Sequence, residues 1–232
     1  KDDFHDDDYF LNIKDVYIQK GILHPVNLSI HPNDIIGITG ELGSGYEEIA
    51  KILVGLKRPL SGQVIFSPVL SKKRLGHEIT YLGKNRKKDI EFPLSSLEFN
   101  LNAGPFKKVI LNFSLLKKAA SRMIEEFAIS PPDINLNIEH FSGGNKMKAG
   151  LARVFSKPNT LMIVCDEPFT GIDNLSRLKI HEYIRRHCKT NQAIIIVSRE
   201  REELLKCCSI LIVISKDKPV QIFSIQQEKV KT

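Results

Sequence analysis

The apolar positions of the chain change period several times, and each change predicts an element. Near the N-terminus LNI, DVYI, PVNLSI and DIIGITG are short apolar runs set off by KG and HPND turns. That pattern predicts strands, the last of them closed by Gly40. In the following YEEIAKILVGL, Ile49, Ile52, Leu53 and Leu56 recur at helical spacing, and Pro59 and Gly62 mark the exit. QVIFSPV and EITYLG predict two further strands. From Lys84 to Leu151 no strong strand pattern occurs; SLLKKAASRMIEEFA predicts a helix stopped by Pro131 and Pro132, and a second helix follows FSGG.

The final third alternates again. TLMIVC and AIIIV are short all-apolar runs of the kind parallel strands show when both faces are covered, and LSRLKIHEYIRRHC between them is long enough for a crossover helix. SILIVIS and VQIFSI, joined by KDKP, predict two closing strands, and QQEKVKT a frayed tail. The chain therefore reads as α/β: a core built by residues 1–83 and 152–232, interrupted by a helical subdomain at 84–151.

With 232 residues, 42% of them hydrophobic, such a domain buries enough surface to need no disulfide or metal staple. Cys165, Cys188, Cys207 and Cys208 lack C-x-x-C spacing, which disfavours zinc and disulfides and favours a reducing compartment. No apolar run approaches the length of a membrane span, and KDDFHDDDYF has no signal-peptide core. The start at Lys1 suggests a piece of a longer protein. The net charge of +7 is unevenly spread: Asp2, Asp3, Asp6, Asp7 and Asp8 load the N-terminus. Lys72 to Arg74, Arg86 to Lys88, and Lys107 with Lys108 load the middle. The plainer reading of each run, a solvated face or tail, is the favoured one.

Three segments carry candidate chemistry. GELGSGYE follows a strand and opens a helix, the context of a phosphate-binding loop, in which glycines let backbone N–H groups wrap an anion. Gly40, Gly43 and Gly45 satisfy that pattern around Ser44, but Tyr46 stands where the lysine belongs and Glu47 where the magnesium-binding hydroxyl belongs. By itself the loop reads equally as a plain strand-to-helix turn. LMIVCDE delivers Asp166 and Glu167 at the end of an apolar strand, suited to a Mg²⁺ shell and to a base for water, or simply to solvated acids. FSGGNKMK places Ser142, Gly143 and Gly144 at a helix N-terminus, as an anion site or as a cap.

In order, GELGSGYE, FSGGNKMK and LMIVCDEPFTGID resemble the P-loop, signature motif, Walker B strand and D-loop of the ATP-binding cassette (ABC) family over nearly the whole chain. SGGNKMK is similar to SGGNQQK, YLGKNRKKD to Y-x-P-E-D-R-K and DEPFTGID to DEPTRGVD. These forms belong to tandem-cassette ATP-binding subunits of simple-sugar and nucleoside importers, whose second cassettes often lack the P-loop lysine and the switch histidine. Here Arg199 stands at the switch position and Lys84 at the Q-loop position.

The resemblance implies a P-loop NTPase fold with a RecA-like core, an antiparallel β edge and an inserted helical subdomain. It implies that Ser142, Gly143 and Gly144 contact a nucleotide held on a facing cassette, of the same polypeptide or another chain. Asp166 would help hold Mg²⁺, Glu167 would polarise water, Asp173 would lie at the cassette contact and Tyr17 would stack on adenine. ATP and Mg²⁺ would then be weakly held or absent at the chain's own loop. Membrane permease subunits would be direct partners, contacted near Lys84 to Leu101, where Arg86 and Lys87 precede Ile90, Phe92, Leu94 and Leu97. A solute-binding protein would be an indirect partner, and the chain would sit on the cytoplasmic face of the membrane. The competing functions are a catalytically silent structural or regulatory cassette and a soluble ABC ATPase acting on nucleic acid or ribosomes. The last is disfavoured because no aromatic residues interleave with the basic runs, so no nucleic-acid partner is expected.

Overall fold

Strands β1 (Leu11–Tyr17), β2 (Val26–Ile30) and β4 (Ser61–Phe66) pair antiparallel in the order β2-β1-β4. The computed structural model describes residues 9–70, 75–85, 92–103, 113–188 and 191–225. The acidic N-terminal aspartates, the basic runs at Lys72 to Arg74, Arg86 to Lys88 and Lys107 to Lys108, Ile90, and the C-terminal QQEKVKT lie outside the described residues. LNI and DVYI are one strand rather than two. Its register shifts around Lys14 and Asp15, where Asp15 has φ 51° and its N–H donates to Asn27 Oδ1 at 2.8 Å, so a bulge turns two charged side chains to solvent.

A second sheet has the order β5-β6-β7-β3-β8-β9. Its members are β3 (Ile35–Gly40), β5 (Ile79–Leu82), β6 (Met162–Asp166), β7 (Ala193–Val197), β8 (Ile210–Ile214) and β9 (Gln221–Ser224). All neighbours pair parallel except β8 and β9. Every residue of β6 and β7 is buried, yet their two faces serve different cores. Ile163, Cys165, Ile194 and Ile196 join one cluster with Phe127, Leu151 and Leu204. Met162, Val164, Ala193, Ile195 and Val197 join a second with Ile49, Leu53 and the three-stranded sheet's Leu11, Ile13 and Ile30. The period of two is thus kept in space although the sequence, apolar at every position, conceals it.

Helix α1 (Tyr46–Leu53) follows β3, and α2 (Leu97–Asn102), α3 (Phe113–Glu126) and α4 (Gly143–Ser156) fill the interval between β5 and β6. α4 runs through Leu151 to Ser156, carrying the chain from the helical segment to the core without a break. α5 (Asn174–His187) is the crossover between β6 and β7, and α6 (Arg201–Cys207) that between β7 and β8. α2 and α6 go beyond the elements expected from the pattern; at six and seven residues they are too short to display a helical period. Among the described residues, no helix is long and apolar enough to cross a membrane. All four cysteines are free, with Cys165, Cys207 and Cys208 buried and Cys188 half-buried.

Candidate functional site

β3 runs through the protein interior and ends at Gly40, so the segment Glu41–Gly45 emerges at the carboxyl edge of the parallel strands, where open α/β sheets place ligands. Gly43 and Gly45 have φ of 81° and 85°, and Ser44 N–H donates to the Glu41 carbonyl at 3.0 Å. A Cβ at Gly40 would lie 2.4 Å from the Ile214 carbonyl oxygen and 2.5 Å from Ser44 Oγ, which requires glycine there. Gln19, which no sequence pattern singled out, donates its side-chain amide to the Gly43 carbonyl and ties the end of β1 to the loop. Tyr17 is half-buried at that end of β1, its carbonyl accepting from Leu60 N–H at 2.9 Å.

The loop has the shape of a phosphate cradle and lacks the charge. Among the described residues, Ser44 Oγ is buried without a hydrogen-bond partner. Tyr46 is 4% exposed and packs in the core cluster beneath the three-stranded sheet. Burial, then the charges of Glu167 and Glu47, push its phenol up to about 12, so it stays a neutral group among carboxylates. A buried phenol surrounded by Glu47, Asp166 and Glu167 does not fit the β- and γ-phosphates of a magnesium nucleotide, which need a cation there. Glu48 is engaged elsewhere: Lys57 and Lys51 bond to it at 3.3 and 3.4 Å and hold its carboxyl below the usual range against the opposing pull of burial.

Asp166 and Glu167 leave β6 in opposite environments. Asp166 is 1% exposed and accepts from the Tyr81 hydroxyl at 3.4 Å. Burial pushes its carboxyl up to about 6, helped by Glu167 and opposed by Lys84, which is exposed just past β5, and by Lys51. The native pKa of about 6 lies above the ordinary 3.8, so the native state holds this proton more tightly. The associated stability is present below about pH 4 and is lost as pH rises through about 6. Asp166→Asn, which keeps the neutral shape, is expected to stabilise the free chain by about 3 kcal/mol at pH 8 and hardly at all at pH 4. Denaturant unfolding of both proteins at the two pH values checks this; the same difference at both would refute it.

Glu167 has φ 52° and points toward the segment after β7. Its carboxylate accepts from Ser198 Oγ and from Arg199 N–H, each at 2.9 Å. The Arg199 side chain is exposed, and its charge acts on the Tyr46 phenol.

The second group of motifs surrounds the start of α4. Ser142 is its N-cap, exposed, with Oγ accepting from Asn145 N–H at 3.3 Å and from Asn145 Nδ2 at 3.0 Å. Gly143 and Gly144 are half-exposed in the first turn. A Cβ on Gly144 would come within 2.3 Å of the Gly171 carbonyl oxygen, so the turn containing Gly171, Ile172 and Asp173 rests directly on the helix backbone. Asp173 caps α5, accepting from Ser176 N–H at 2.9 Å, and those hydrogen bonds hold its carboxyl below the usual range. Lys148, buried on α4, donates to the Ala128 carbonyl and, at 3.4 Å, to Ser176 Oγ. The expected residues therefore gather into an acid-rich strand edge around Tyr46 and a surface-facing helix end at Ser142.

A protein-family model described as ABC transporter matches residues 23–170. The "Galactofuranose transporter ATP-binding protein YtfR" of Escherichia coli is 29% identical over 216 residues, 88% of this chain and 42% of that protein. The "L-arabinose transport ATP-binding protein AraG" of Geobacillus stearothermophilus is 26% identical over 213 residues, 87% of this chain and 41% of the relative. The chain thus spans about two fifths of the length of these relatives. Among solved structures, the dimeric ATP-binding cassette MJ0796 bound to ADP and Pi superimposes with a TM-score of 0.77 at 18% identity, covering 94% of this chain and all of that one.

Proposed function

This chain belongs to the ABC transporter family and has its P-loop NTPase cassette fold, and from that premise we propose that it is one ATP-binding cassette of an importer for a sugar- or nucleoside-like solute. Its own P-loop is catalytically idle, and its signature motif completes a composite site whose ATP and Mg²⁺ are bound by the P-loop of a second cassette, in the same polypeptide or another chain. The observation that carries this reading is the contrast between the two helix ends. At α1 the position facing the acids is a buried neutral phenol, whereas at α4 a capped, dipole-positive turn with Ser142, Gly143 and Gly144 faces outward. Relatives named as ATP-binding proteins of galactofuranose and L-arabinose transport supply the solute class.

Permease subunits are the direct membrane partners in this reading, with a solute-binding protein acting through them, and the cassette works on the cytoplasmic face. Phe92, Leu94 and Phe99 are 46%, 80% and 53% exposed around α2, with Phe92 and Phe99 in edge contact at 5.6 Å. Asn100, buried beneath, fixes this apolar knuckle by accepting from Phe92 N–H and donating to the Phe92 carbonyl. Leu97, placed in the same contact by the sequence, is fully buried and serves the core instead. Leu94→Asp with Phe99→Asp, both at exposed positions, is expected to reduce recovery of the permease with the cassette at least about tenfold while leaving the cassette folded. Copurification from detergent is the measurement, and undiminished recovery would count against docking at this site.

A further inference from the structure

The hydrogen bonds that hold Glu167 do not end at Ser198. Ser198 Oγ, which donates to Glu167, accepts from Glu200 N–H at 3.2 Å. The Glu200 carboxylate in turn meets Arg177 Nη1 at 2.6 Å, and Arg177 Nε donates to the Ile172 carbonyl at 2.9 Å. One guanidinium therefore spans the turn before α5 and the segment before α6. A planar fork holds its two acceptors at a fixed spacing and orientation, which an ammonium with rotatable donors on a flexible stem does not. On its far side the Ile172 turn is braced by the Gly144 backbone and by Lys148 through Ser176.

From this chain of contacts we infer that Arg177 is a positioning residue that couples the start of α4 to Glu167 within one cassette. A displacement at Ser142 to Gly144 moves the Gly171–Asp173 turn, shifts Arg177 and Glu200, and changes how Ser198 and Arg199 hold the carboxylate. If the composite-site reading holds, nucleotide on the facing cassette is thereby sensed at the idle site of this one; the coupling itself is a property of this chain alone.

The test uses amide hydrogen exchange of Arg199 N–H, which donates to Glu167. Gly144→Ala supplies the push, because its Cβ has no room against the Gly171 carbonyl; Asp173→Ala, which uncaps α5 at the same turn, supplies a second. Each is expected to change Arg199 exchange at least about tenfold in the otherwise unaltered chain, within the range of energetic coupling between sites. In an Arg177→Met background the response should fall below about twofold, and Arg177→Lys, which keeps the charge without the rigid spacing of the two donors, should not restore it. Glu200→Gln, a milder change, should cut the response at least about threefold and covers the case in which Arg177→Met does not fold. No response to either push, or an equal response with and without Arg177, overturns the inference. That result would leave the composite-site reading untouched, since the latter stands or falls on the transport phenotype of Ser142 variants.

Discussion

Ser142→Arg is expected to abolish transport and ATP hydrolysis by the assembled importer, to below about 1% of the unaltered level, whereas Tyr46→Phe should leave both within about twofold. In the proposed composite site the groups that meet the ligand at α4 are the Ser142 hydroxyl and the first-turn N–H groups, and an arginine side chain there would fill the space an incoming phosphate needs. Losing one of several donors aimed at developing phosphate charge costs two or three decades in rate, and steric exclusion adds to this. The loss is not one of folding. Ser142 is exposed, and removing its cap costs about 1 kcal/mol. Tyr46 is different because its ring is part of the core, so truncation to alanine would confound function with the roughly 3–5 kcal/mol cost of a cavity. Phenylalanine keeps the packing and deletes only the hydroxyl. Solute uptake and ATPase activity in proteoliposomes check the pair; a silent Ser142→Arg beside a dead Tyr46→Phe reverses the assignment.

Returning the missing chemistry to the first loop should have an effect of similar size. Tyr46→Lys with Glu47→Thr is expected to raise the affinity of the chain for Mg-ATP about 100-fold from a weak starting value. At an effective dielectric of about 20, unit charges ~4 Å apart interact by about 4 kcal/mol. Even ~3 kcal/mol retained after screening corresponds to two decades. The carboxylates around the hydroxyl favour the lysine charge, against the cost of replacing a ring that packs in the core. Glu167 and Asp166 act on the Tyr46 hydroxyl, so an ammonium there gains two carboxylate partners and lowers the raised pKa of Asp166 in return. The rest of the cradle is already in place: Gly40, Gly43 and Gly45 have the required backbone, and Ser44 Oγ has no other partner among the described residues. Calorimetric titration with Mg-ATP measures it. Tight binding by the unaltered chain, or no gain in the double variant, contradicts the account of why this loop is idle.

The strands β3, β6, β7 and β8 and the helices α1, α3, α4 and α5 were legible because each carries a period or an apolar run long enough to register. The short helices α2 and α6 were not, and neither was the joining of LNI to DVYI, because the bulge at Asp15 puts two charged residues in mid-strand. At the site, the glycines and acids could be read because motif chemistry fixes their spacing. Gln19, Tyr81, Ser198 and Arg177 could not, since each reaches its partner through tertiary contact from another part of the chain. Glu48 shows the opposite limit: its sequence position adds negative charge beside the loop, while in space Lys51 and Lys57 neutralise it.

The four free cysteines bear on how the cassette can be studied in solution. Burial raises the thiols of Cys165 and Cys188, the latter to about 11, and Cys208 is raised by its contact with Cys207, 3.8 Å away, and by burial. At neutral pH the thiols of Cys165, Cys188 and Cys208 are almost entirely protonated, and a protonated, enclosed sulfur is a poor nucleophile. A single thiol introduced on the exposed turn at Leu42, or at Leu175 beside the start of α5, would therefore react with maleimide dyes far faster than the native ones. Fluorescent reporters at these positions can thus be installed in the natural sequence, without first stripping it of cysteine and disturbing the core that Cys165, Cys207 and Cys208 help to fill.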